Sequence, residues 1–334
     1  MLQLENQTPF AAAIAVLPDR AGIDTLYIVV KATLDLRPKL ALAKEQVPIA
    51  LADEYYGDPA ASSLRASSEL HIGKPGTDVL LVGSARAPEG RQVPRSVVAM
   101  SVAGRQKRIQ VTGDRIWRSG RPSDPRPFES MPLVWERAFG GVQRRGDTVS
   151  AEERNPVGRG FTGDRSAGEM EGQPLPNLED PGGLLQELGQ TSTPACLAPI
   201  APSWLPRRAY AGTYDERWQR GRAPYLPDDF NPRFFQCAVP EFAFDRYLQG
   251  GEPVQIAGAT PDGPIAFTVP EPRLAIAVIV SGSTERPPSN LETISIEPDQ
   301  NRACFTWRAA VPCDRKVLKV QKIVVGRAGA GGAS

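Results

Sequence analysis

Pairs of carboxylates lie among aromatic residues in the middle of the sequence. Two carboxyl groups on either side of a glycosidic bond can hydrolyse it, one as general acid and the other as base or nucleophile. Glu136 together with Asp215 or Glu216 has the residue types for this chemistry, and Asp228 and Asp229 form a further acidic pair. A hydrolytic, carbohydrate-active enzyme is therefore one function that the sequence allows.

Arginines follow these acidic residues closely. Arg137 comes directly after Glu136, Arg217 comes directly after Glu216, and another arginine lies four residues after Asp229. Bidentate arginine–carboxylate pairs can fix backbone that lacks the hydrogen bonds of a sheet. We therefore expect these acids to be charge-compensated parts of a scaffold rather than a catalytic pair.

Arginines and aromatic residues alternate between residues 204 and 222, a pattern that can stack single-stranded nucleic acid. However, Asp215 and Glu216 lie in the same stretch, and the chain has 39 basic and 38 acidic residues with a formal net charge of +1. So balanced a chain lacks the long-range field that attracts nucleic acid or an anionic membrane. The sequence therefore predicts guanidinium–aromatic packing and no nucleic-acid partner.

Residues 158–163 have glycines at the spacing of a dinucleotide-binding motif. Such a motif works when a strand precedes it and a helix follows it, because the helix N-terminus then faces the pyrophosphate. The flanking residues 152–156 and 164–168 predict neither element. We therefore expect no nucleotide site.

The histidine and cysteine content limits metal chemistry. His71 is the single histidine, so a site with several histidine ligands is excluded. We expect His71 to be a hydrogen-bonded residue of the core or of a strand edge rather than a proton shuttle. The four cysteines form no Cys-x-x-Cys pair, which predicts reduced, buried thiols. The sequence thus predicts neither a metal nor a cofactor.

The elements that would position these residues are short strands. The chain of 334 residues has 33 prolines and 31 glycines, and 41% of its residues are hydrophobic, which disfavours long helices. β-Branched residues and alternating polarity predict strands near both ends of the chain. The predicted strands are residues 10–17, 25–36, 78–85, 95–102, 107–112, 254–257, 264–269, 274–280, 292–296, 303–309 and 316–325.

Between these regions the periodicity disappears, and four of the five tryptophans fall there. A long non-periodic stretch is usually functional or disordered, and aromatic residues argue against disorder. We expect an ordered irregular layer that packs on the sheets. Short helices are expected near residues 183–188 and 213–220, the second with a capping box from Thr213 to Glu216.

The predicted fold class is mainly β, with antiparallel, sandwich-like sheets, a long irregular central segment rich in proline and aromatic residues, and one or two short helices. We expect one domain over residues 1–325, built from residues 1–113, 114–245 and 246–325, and a flexible tail at residues 326–334. No apolar run approaches the ~20 residues that span a bilayer, and the N-terminus lacks the basic start of a secretory signal. These features predict a cytoplasmic protein without a membrane partner.

Five segments, taken in order, resemble one bacterial family. It is a domain-of-unknown-function family found with type VI secretion clusters, whose members act as effector adaptors or chaperones. The resemblance extends over nearly the whole chain. The segments are residues 132–141, 154–161, 175–181, 199–218, and 224–230 with 232–236.

The resemblance implies a cytoplasmic accessory protein that holds a toxic effector, or its PAAR-repeat tip domain, and helps load it onto the valine-glycine-repeat spike. The implied partners are therefore proteins: a type VI effector, a PAAR-repeat protein or a spike protein. It implies no catalytic residue and no cofactor. The hydrolase and a purely structural subunit of the secretion apparatus stay as alternatives.

Aromatic residues and arginines are typical of the cores of protein interfaces, and a strand edge can accept a strand from a partner. The central layer is expected to contain Trp135, Arg137, Trp204, Arg208, Tyr214, Asp215 and Trp218. The candidate interaction residues are Trp135, Glu136, Arg137, Phe139, Asn155, Trp204, Arg207, Arg208, Tyr214, Asp215, Glu216, Trp218, Asp228, Asp229 and Phe234.

Overall fold

The computed structural model describes residues 3–271, 274–313 and 318–327. Strands dominate this part of the chain, in several mostly antiparallel sheets, and its two α-helices are short. The predicted fold class is therefore confirmed. In the same residues, no helix combines the length and the apolarity that crossing a bilayer requires.

The N-terminal third of the chain supplies the longest early strands, which are rich in valine, isoleucine and threonine. Its 3₁₀ turn is Pro88–Gly90. The strands are β1 (Gln3–Asn6), β2 (Ala11–Pro18), β3 (Asp24–Asp35), β4 (Ala41–Leu42), β5 (Glu54–Tyr55), β6 (Leu64–Ala66), β7 (Asp78–Leu81), β8 (Ser84–Arg86), β9 (Arg95–Val102) and β10 (Arg105–Thr112).

The middle of the chain has only short strands and turns. Its helices are α1 (Ala167–Met170) and α2 (Glu216–Gly221), and its 3₁₀ turns are Trp135–Arg137, Arg207–Tyr210 and Pro232–Phe235. The strands are β11 (Trp117–Arg118), β12 (Arg121–Pro122), β13 (Ser130–Pro132), β14 (Phe139–Gly140), β15 (Val142–Arg145), β16 (Thr148–Ala151), β17 (Arg159–Gly160) and β18 (Leu178–Glu179).

The C-terminal third returns to longer strands. Its 3₁₀ turn is Pro298–Gln300. The strands are β19 (Pro253–Ala257), β20 (Ile265–Thr268), β21 (Leu274–Val280), β22 (Ser283–Glu285), β23 (Asn290–Glu297), β24 (Arg302–Pro312) and β25 (Val320–Arg327).

A six-stranded central sheet joins the two ends of the chain. Its main order is β2-β3-β24-β23-β7, and β4 adds to β3. β3 and β24 pair antiparallel over their whole common length, from Thr25 opposite Pro312 to Asp35 opposite Arg302. β7 instead runs parallel to β23. The centre of the fold therefore forms only when residues nearly 300 positions apart in the sequence meet.

Two further sheets pack on one face of the central sheet. The five-stranded sheet has the order β18-β10-β9-β19-β20, and the four-stranded sheet has the order β1-β25-β21-β22. Phe305 and Trp307 of β24 share a buried cluster with residues of the first, and Val311 of β24 shares one with residues of the second. The same strand thus contributes to both halves of the core.

The structure corrects several predicted elements. The strand predicted at residues 78–85 is two strands, β7 and β8, in different sheets, because Gly83 turns the chain at φ +153°. The last strand begins at Val320, and the first residues predicted for it lie outside the described residues. Gly326 and Arg327 end that strand instead of opening a tail. The rest of the predicted tail lies outside the described residues.

The predicted helix at residues 183–188 is wrong. Side chains satisfy the backbone there: Glu179 accepts from the N–H of Leu185, and Gln190 accepts from the N–H of Gln186 and of Glu187. These bonds replace the bonds to carbonyls four residues earlier that a helix needs.

The second predicted helix exists as α2, but its N-cap is Asp215 rather than Thr213. The helix that sequence patterns missed is α1, which opens with a capping box of Ser166 and Glu169. Its four residues are too few to show the helical periodicity on which prediction depends.

Candidate functional site

Asn155 organises the backbone of the central segments. Its side chain is fully buried, and its Nδ2 donates to the carbonyl oxygens of Trp135 at 2.8 Å and Phe139 at 2.9 Å. Gly158 passes so close that a Cβ there would lie 2.7 Å from the carbonyl oxygen of Ala138. Gly158, the first glycine of residues 158–163, therefore allows close backbone packing. The motif core is the name that we give to this set of residues: Trp135, Glu136, Ala138, Phe139, Asn155, Gly158, Trp204 and Arg207.

Trp135 joins the motif core to the next segment. Its Nε1 donates to the carbonyl oxygen of Pro199 at 2.9 Å, and its ring meets Trp204 edge to face at 6.2 Å between centroids. Both rings are buried in the main hydrophobic cluster with strands of the central sheet. The expected central layer therefore does contain these two tryptophans.

Glu136 has a different partner from the one expected. One carboxylate oxygen accepts from the Ser63 N–H at 2.7 Å, and the other accepts from the Ser63 hydroxyl. The adjacent Arg137 turns instead to Asp114, at 3.2 Å, and to the side-chain oxygen of Asn177, at 3.0 Å. Neighbours in a 3₁₀ turn point in different directions, so sequence adjacency does not make this ion pair.

Arg207 and Arg208 separate in the same way. Arg207 is buried, with Nε on the carbonyl oxygen of Phe234 at 2.9 Å and Nη1 on that of Ile200 at 2.6 Å. Its guanidinium also lies 5.5 Å from the centre of the Phe234 ring. Arg208 pairs with Glu153 at the surface, 3.2 Å away. A buried Arg207 cannot serve a nucleic-acid stacking surface, so its packing follows the expected guanidinium–aromatic contact.

Residues 211–230 form a surface lobe, which we call the aromatic lobe. Tyr214 lies edge to face on Trp218 at 4.7 Å, and the Trp218 Nε1 donates to the carbonyl oxygen of Tyr225 at 2.8 Å. Tyr225 covers Gly22, in the turn between β2 and β3. Tyr214 is 53% exposed. The expectation that Tyr214, Asp215 and Trp218 belong to a buried central layer is therefore wrong.

The acids of the aromatic lobe have structural partners. Asp215 accepts from the Trp218 N–H as the N-cap of α2, and Glu216 pairs with Arg220. Asp229 accepts from the backbone N–H and the hydroxyl of Thr213, and these hydrogen bonds lower the pKa of its carboxyl. Arginine compensation thus holds for Glu216, but not with the adjacent Arg217.

Asp228 completes this set. It lies 3.4 Å from Arg222, which also donates to the carbonyl oxygen of Arg20 in the β2–β3 turn. The aromatic lobe is therefore fastened to the turn that precedes β3. Arg233, expected beside Asp229, instead has its backbone N–H capped by Asn231.

A buried group of charges, which no sequence pattern above predicted, lies on the second face of the central sheet. Residues 43–77 cover this face and enclose a cavity of about 110 Å³, which we call the ionic cavity. Lys31 pairs with Glu69 at 2.8 Å. Two further ion pairs line the cavity or lie beside it: Arg308 with Glu292 at 2.6 Å, and Lys74 with Asp78 at 2.7 Å. The Thr306 hydroxyl also donates to Glu69, at 2.6 Å.

His71 lies within this group, as a buried and hydrogen-bonded residue. Its Nδ1 accepts from the Gly73 N–H at 3.0 Å, its Nε2 is 3.1 Å from Nη2 of Arg308, and its ring stacks on Phe235 at 4.8 Å. Burial lowers the pKa of His71 well below its ordinary value, and the positive charges of Arg308 and Lys74 lower it further. His71 is therefore neutral in the folded protein.

One sequence signal could have revealed the ionic cavity. Lys31 interrupts the apolar run of β3, and Arg308 does the same in β24, and both strands are otherwise buried. Charged residues are rarely buried unless they are paired. Their partners come from distant segments, so the sequence could indicate that pairs exist but not which residues form them.

In residues 3–271, 274–313 and 318–327, no group of His, Cys, Asp or Glu has the arrangement that a metal ion needs. The four cysteines are free and buried, as predicted, and burial raises the pKa of the Cys196 thiol to about 12.

Comparisons with known proteins give one family and nothing closer. The family described as "Uncharacterized protein conserved in bacteria (DUF2169)" matches residues 21–308. Comparisons with curated proteins and with solved structures find no match. The matched range includes the motif core, the aromatic lobe and the ionic cavity. It confirms a bacterial family of unknown function and carries no statement about type VI secretion.

Proposed function

We propose that this chain, which belongs to the DUF2169 family of uncharacterized proteins conserved in bacteria, is a non-catalytic adaptor that binds another protein. The partner is a type VI effector or its PAAR-repeat domain, held in the cytoplasm and passed to the spike. This type of partner is the one implied by the resemblance of the five sequence segments to the family found with type VI secretion clusters.

The observation that carries the proposal is the row of aromatic rings at the surface. Tyr214, Trp218 and Tyr225 follow one another across the aromatic lobe, and two of these side chains are exposed. Aromatic residues and arginines are enriched in the cores of protein interfaces. The residues whose replacement by alanine costs the most binding free energy are often tryptophan, tyrosine or arginine. The aromatic lobe therefore has the composition of a docking surface.

A strand edge lies next to this surface. β2 is an outer strand of the central sheet, and the aromatic lobe rests on the turn that joins β2 to β3. An outer strand offers backbone N–H and C=O groups to an incoming strand. We propose that the partner contacts the aromatic lobe with side chains and β2 with backbone.

The contacts of the acidic residues also support a binding role over hydrolysis. Both oxygens of Glu136 bind Ser63, and Asp215 caps α2. A catalytic acid and a nucleophile must instead face one glycosidic bond across an open cleft.

Co-purification tests this proposal. The tagged protein is co-expressed with the neighbouring effector or PAAR-repeat gene, as wild type and as Tyr214→Arg. We expect the wild type to retain the partner and the variant to retain at least about tenfold less, since truncating a hot-spot aromatic costs about 2 kcal/mol or more. Circular dichroism checks that the variant folds.

Tyr56→Arg is the matched control, because Tyr56 is 50% exposed and lies outside the aromatic lobe. It should retain the partner like the wild type. Equal retention by all three proteins would exclude the aromatic lobe as the interface. Unchanged effector abundance and secretion in a deletion strain would exclude the adaptor function itself.

A further inference from the structure

A second surface, on the outside of the motif core, is lined by arginines. It is a groove of about 480 Å³ between residues 114–126 and the 3₁₀ turn Trp135–Arg137. Asp114 and Asp124 are the acidic residues of its lining. We call it the arginine groove; its five arginines are Arg115, Arg118, Arg126, Arg137 and Arg159.

Two of these arginines already have a carboxylate. Arg115 is buried and contacts Glu179 at 2.5 Å, and Arg137 contacts Asp114 at 3.2 Å. Their charges are therefore largely compensated within the protein. They form the fixed floor of the groove.

Arg159 is not compensated in this way. Within the described part of the chain, its side-chain hydrogen bond runs from Nε to the carbonyl oxygen of Glu136, at 2.8 Å, and leaves the outer guanidinium nitrogens for a ligand. Burial lowers the pKa of Arg159, and the nearby positive charge of Arg137 lowers it further. The carboxylates of Asp114 and Glu136 only partly offset these two effects, so a negative ligand beside the free guanidinium nitrogens would be stabilised.

Arg118 and Arg126 extend the uncompensated charge to the rim. Both are exposed, and neither forms an ion pair with any residue that the structure describes. Arg118, Arg126 and Arg159 are thus three arginines without a carboxylate partner among the described residues. Asp124 is the one acid of the groove lining that has no paired arginine there. The groove therefore carries a net positive charge on a chain whose total charge is only +1.

We propose that the arginine groove binds an acidic segment of a partner protein through its aspartate and glutamate side chains. Planar guanidinium groups match carboxylates in bidentate geometry. A polyphosphate chain is a poorer occupant, because its denser negative charge is repelled more strongly than that of an acidic peptide by Asp114 and Asp124 in the lining. The inference rests on the proposed function for the source of the segment, a protein partner.

Fluorescence anisotropy with a fluorescein-labelled decaglutamate peptide tests the groove. The test variant is Arg118→Glu with Arg126→Glu, which changes two exposed side chains. The control is Arg108→Glu with Arg144→Glu, which changes the net charge equally at exposed positions outside the groove. We expect the groove variant to bind at least about tenfold more weakly and the control to stay within about twofold.

Three results would overturn the inference. These are no peptide binding by the wild type at low salt, an equal loss in the groove variant and the control, and tighter binding of a ten-nucleotide oligo-dT than of the peptide. Binding of the peptide should also weaken as salt rises, because exposed charges are screened.

The same proteins also separate this inference from the proposed function. A wild type that retains its partner but ignores the peptide would overturn the groove and leave the adaptor standing. A wild type that binds the peptide through the groove, yet retains no effector or PAAR-repeat protein, would support the groove and overturn the adaptor.

Discussion

At the scale of single residues, the ionic cavity is balanced only while His71 stays neutral. Three buried cations there each have their own carboxylate nearby, so a protonated imidazole would add a positive charge without a dedicated partner. The nearest acid to Nε2 of His71 is Glu292, at 3.8 Å, and it already binds Arg308. The pairs are Lys31 with Glu69, Lys74 with Asp78, and Arg308 with Glu292.

This balance predicts a loss of stability in mild acid. In the unfolded chain His71 takes up a proton near its ordinary pKa of 6.5, whereas in the folded chain its lowered pKa keeps it neutral. The unfolded state then binds more protons, so the free energy of unfolding falls as the pH drops below this value. From pH 7.5 to pH 5.5 we expect His71 to contribute a loss of about 1 kcal/mol, measured by urea unfolding.

His71→Asn isolates this contribution. An asparagine oxygen can still accept from the Gly73 N–H but does not titrate in this range. The variant should lose about 1 kcal/mol less than the wild type over the same two pH values. An identical loss in both proteins would assign the acid sensitivity to other groups.

Residue types predicted whether a side chain is buried or charge-compensated better than they predicted which residue is its partner. Burial of the cysteines and of His71 followed from composition, and so did arginine compensation of Glu216. The partner of Glu136 did not, because Ser63 precedes it by 73 positions. A carboxylate accepts equally well from a hydroxyl, a backbone N–H or a guanidinium, so the choice depends on the tertiary fold.

At the scale of elements, residues 43–77 are held on the central sheet by polar contacts as well as by Leu64, which is buried in the main hydrophobic cluster. Glu69 is the main link: Oε2 accepts from Lys31 of β3 at 2.8 Å and from the Ala50 N–H at 2.7 Å, while Oε1 accepts from Thr306 of β24. The Glu69 side chain therefore connects residues 43–77 to two strands of the central sheet. Its loss should loosen residues 43–77 as a unit.

Glu69→Gln tests this link. The amide keeps the shape of the side chain but leaves Lys31, which is largely buried, without a negative partner. We expect the free energy of unfolding to fall by about 3 kcal/mol, with faster hydrogen exchange in residues 43–77. Urea unfolding and hydrogen exchange measure the two effects.

Glu54→Gln is the control within the same segment. Glu54 pairs with Arg65 at 3.8 Å, and both side chains are more than half exposed. Such a pair contributes roughly 0–1 kcal/mol, so this variant should stay close to the wild type. A cost for Glu54→Gln as large as that for Glu69→Gln would contradict the role given to the buried pair.

Elements were predicted well where side-chain patterns decide them. Strands such as β9 and β21 follow from β-branched residues and alternation, and their bounds agree with the prediction. Helices failed where local hydrogen bonds compete, as where Gln190 takes the N–H groups of residues 186 and 187. The break between β7 and β8 depends on one glycine conformation, which composition alone does not fix.

At the scale of the whole molecule, the order of strands in the sheets is the feature that sequence patterns leave open. β3 pairs with β24, and β1 pairs with β25, so both contacts join opposite ends of the chain. Local alternation shows that a strand has a buried face but not which strand lies beside it. The family match ends at residue 308, within β24, and leaves β25 outside.

β25 is nevertheless central to its sheet, because it lies between β1 and β21. Its buried Ile323 and Val325 pack with Ile276 and Val278 of β21. A chain that ends at Cys313 would expose these side chains, and burial of each is worth about 1.5–3 kcal/mol. A domain's total stability is only about 5–15 kcal/mol. We therefore expect the truncated protein to lose its cooperative thermal unfolding transition or to aggregate.

A chain that ends at Arg327 is the matched truncation, because it keeps β25 and removes only residues 328–334, which have little apolar surface. It should unfold within about 0.5 kcal/mol of the full chain. Calorimetry and size-exclusion chromatography compare the three lengths. A cooperative, monomeric transition at the full-length temperature for the chain ending at Cys313 would mean that residues 1–313 hold the fold together without β25.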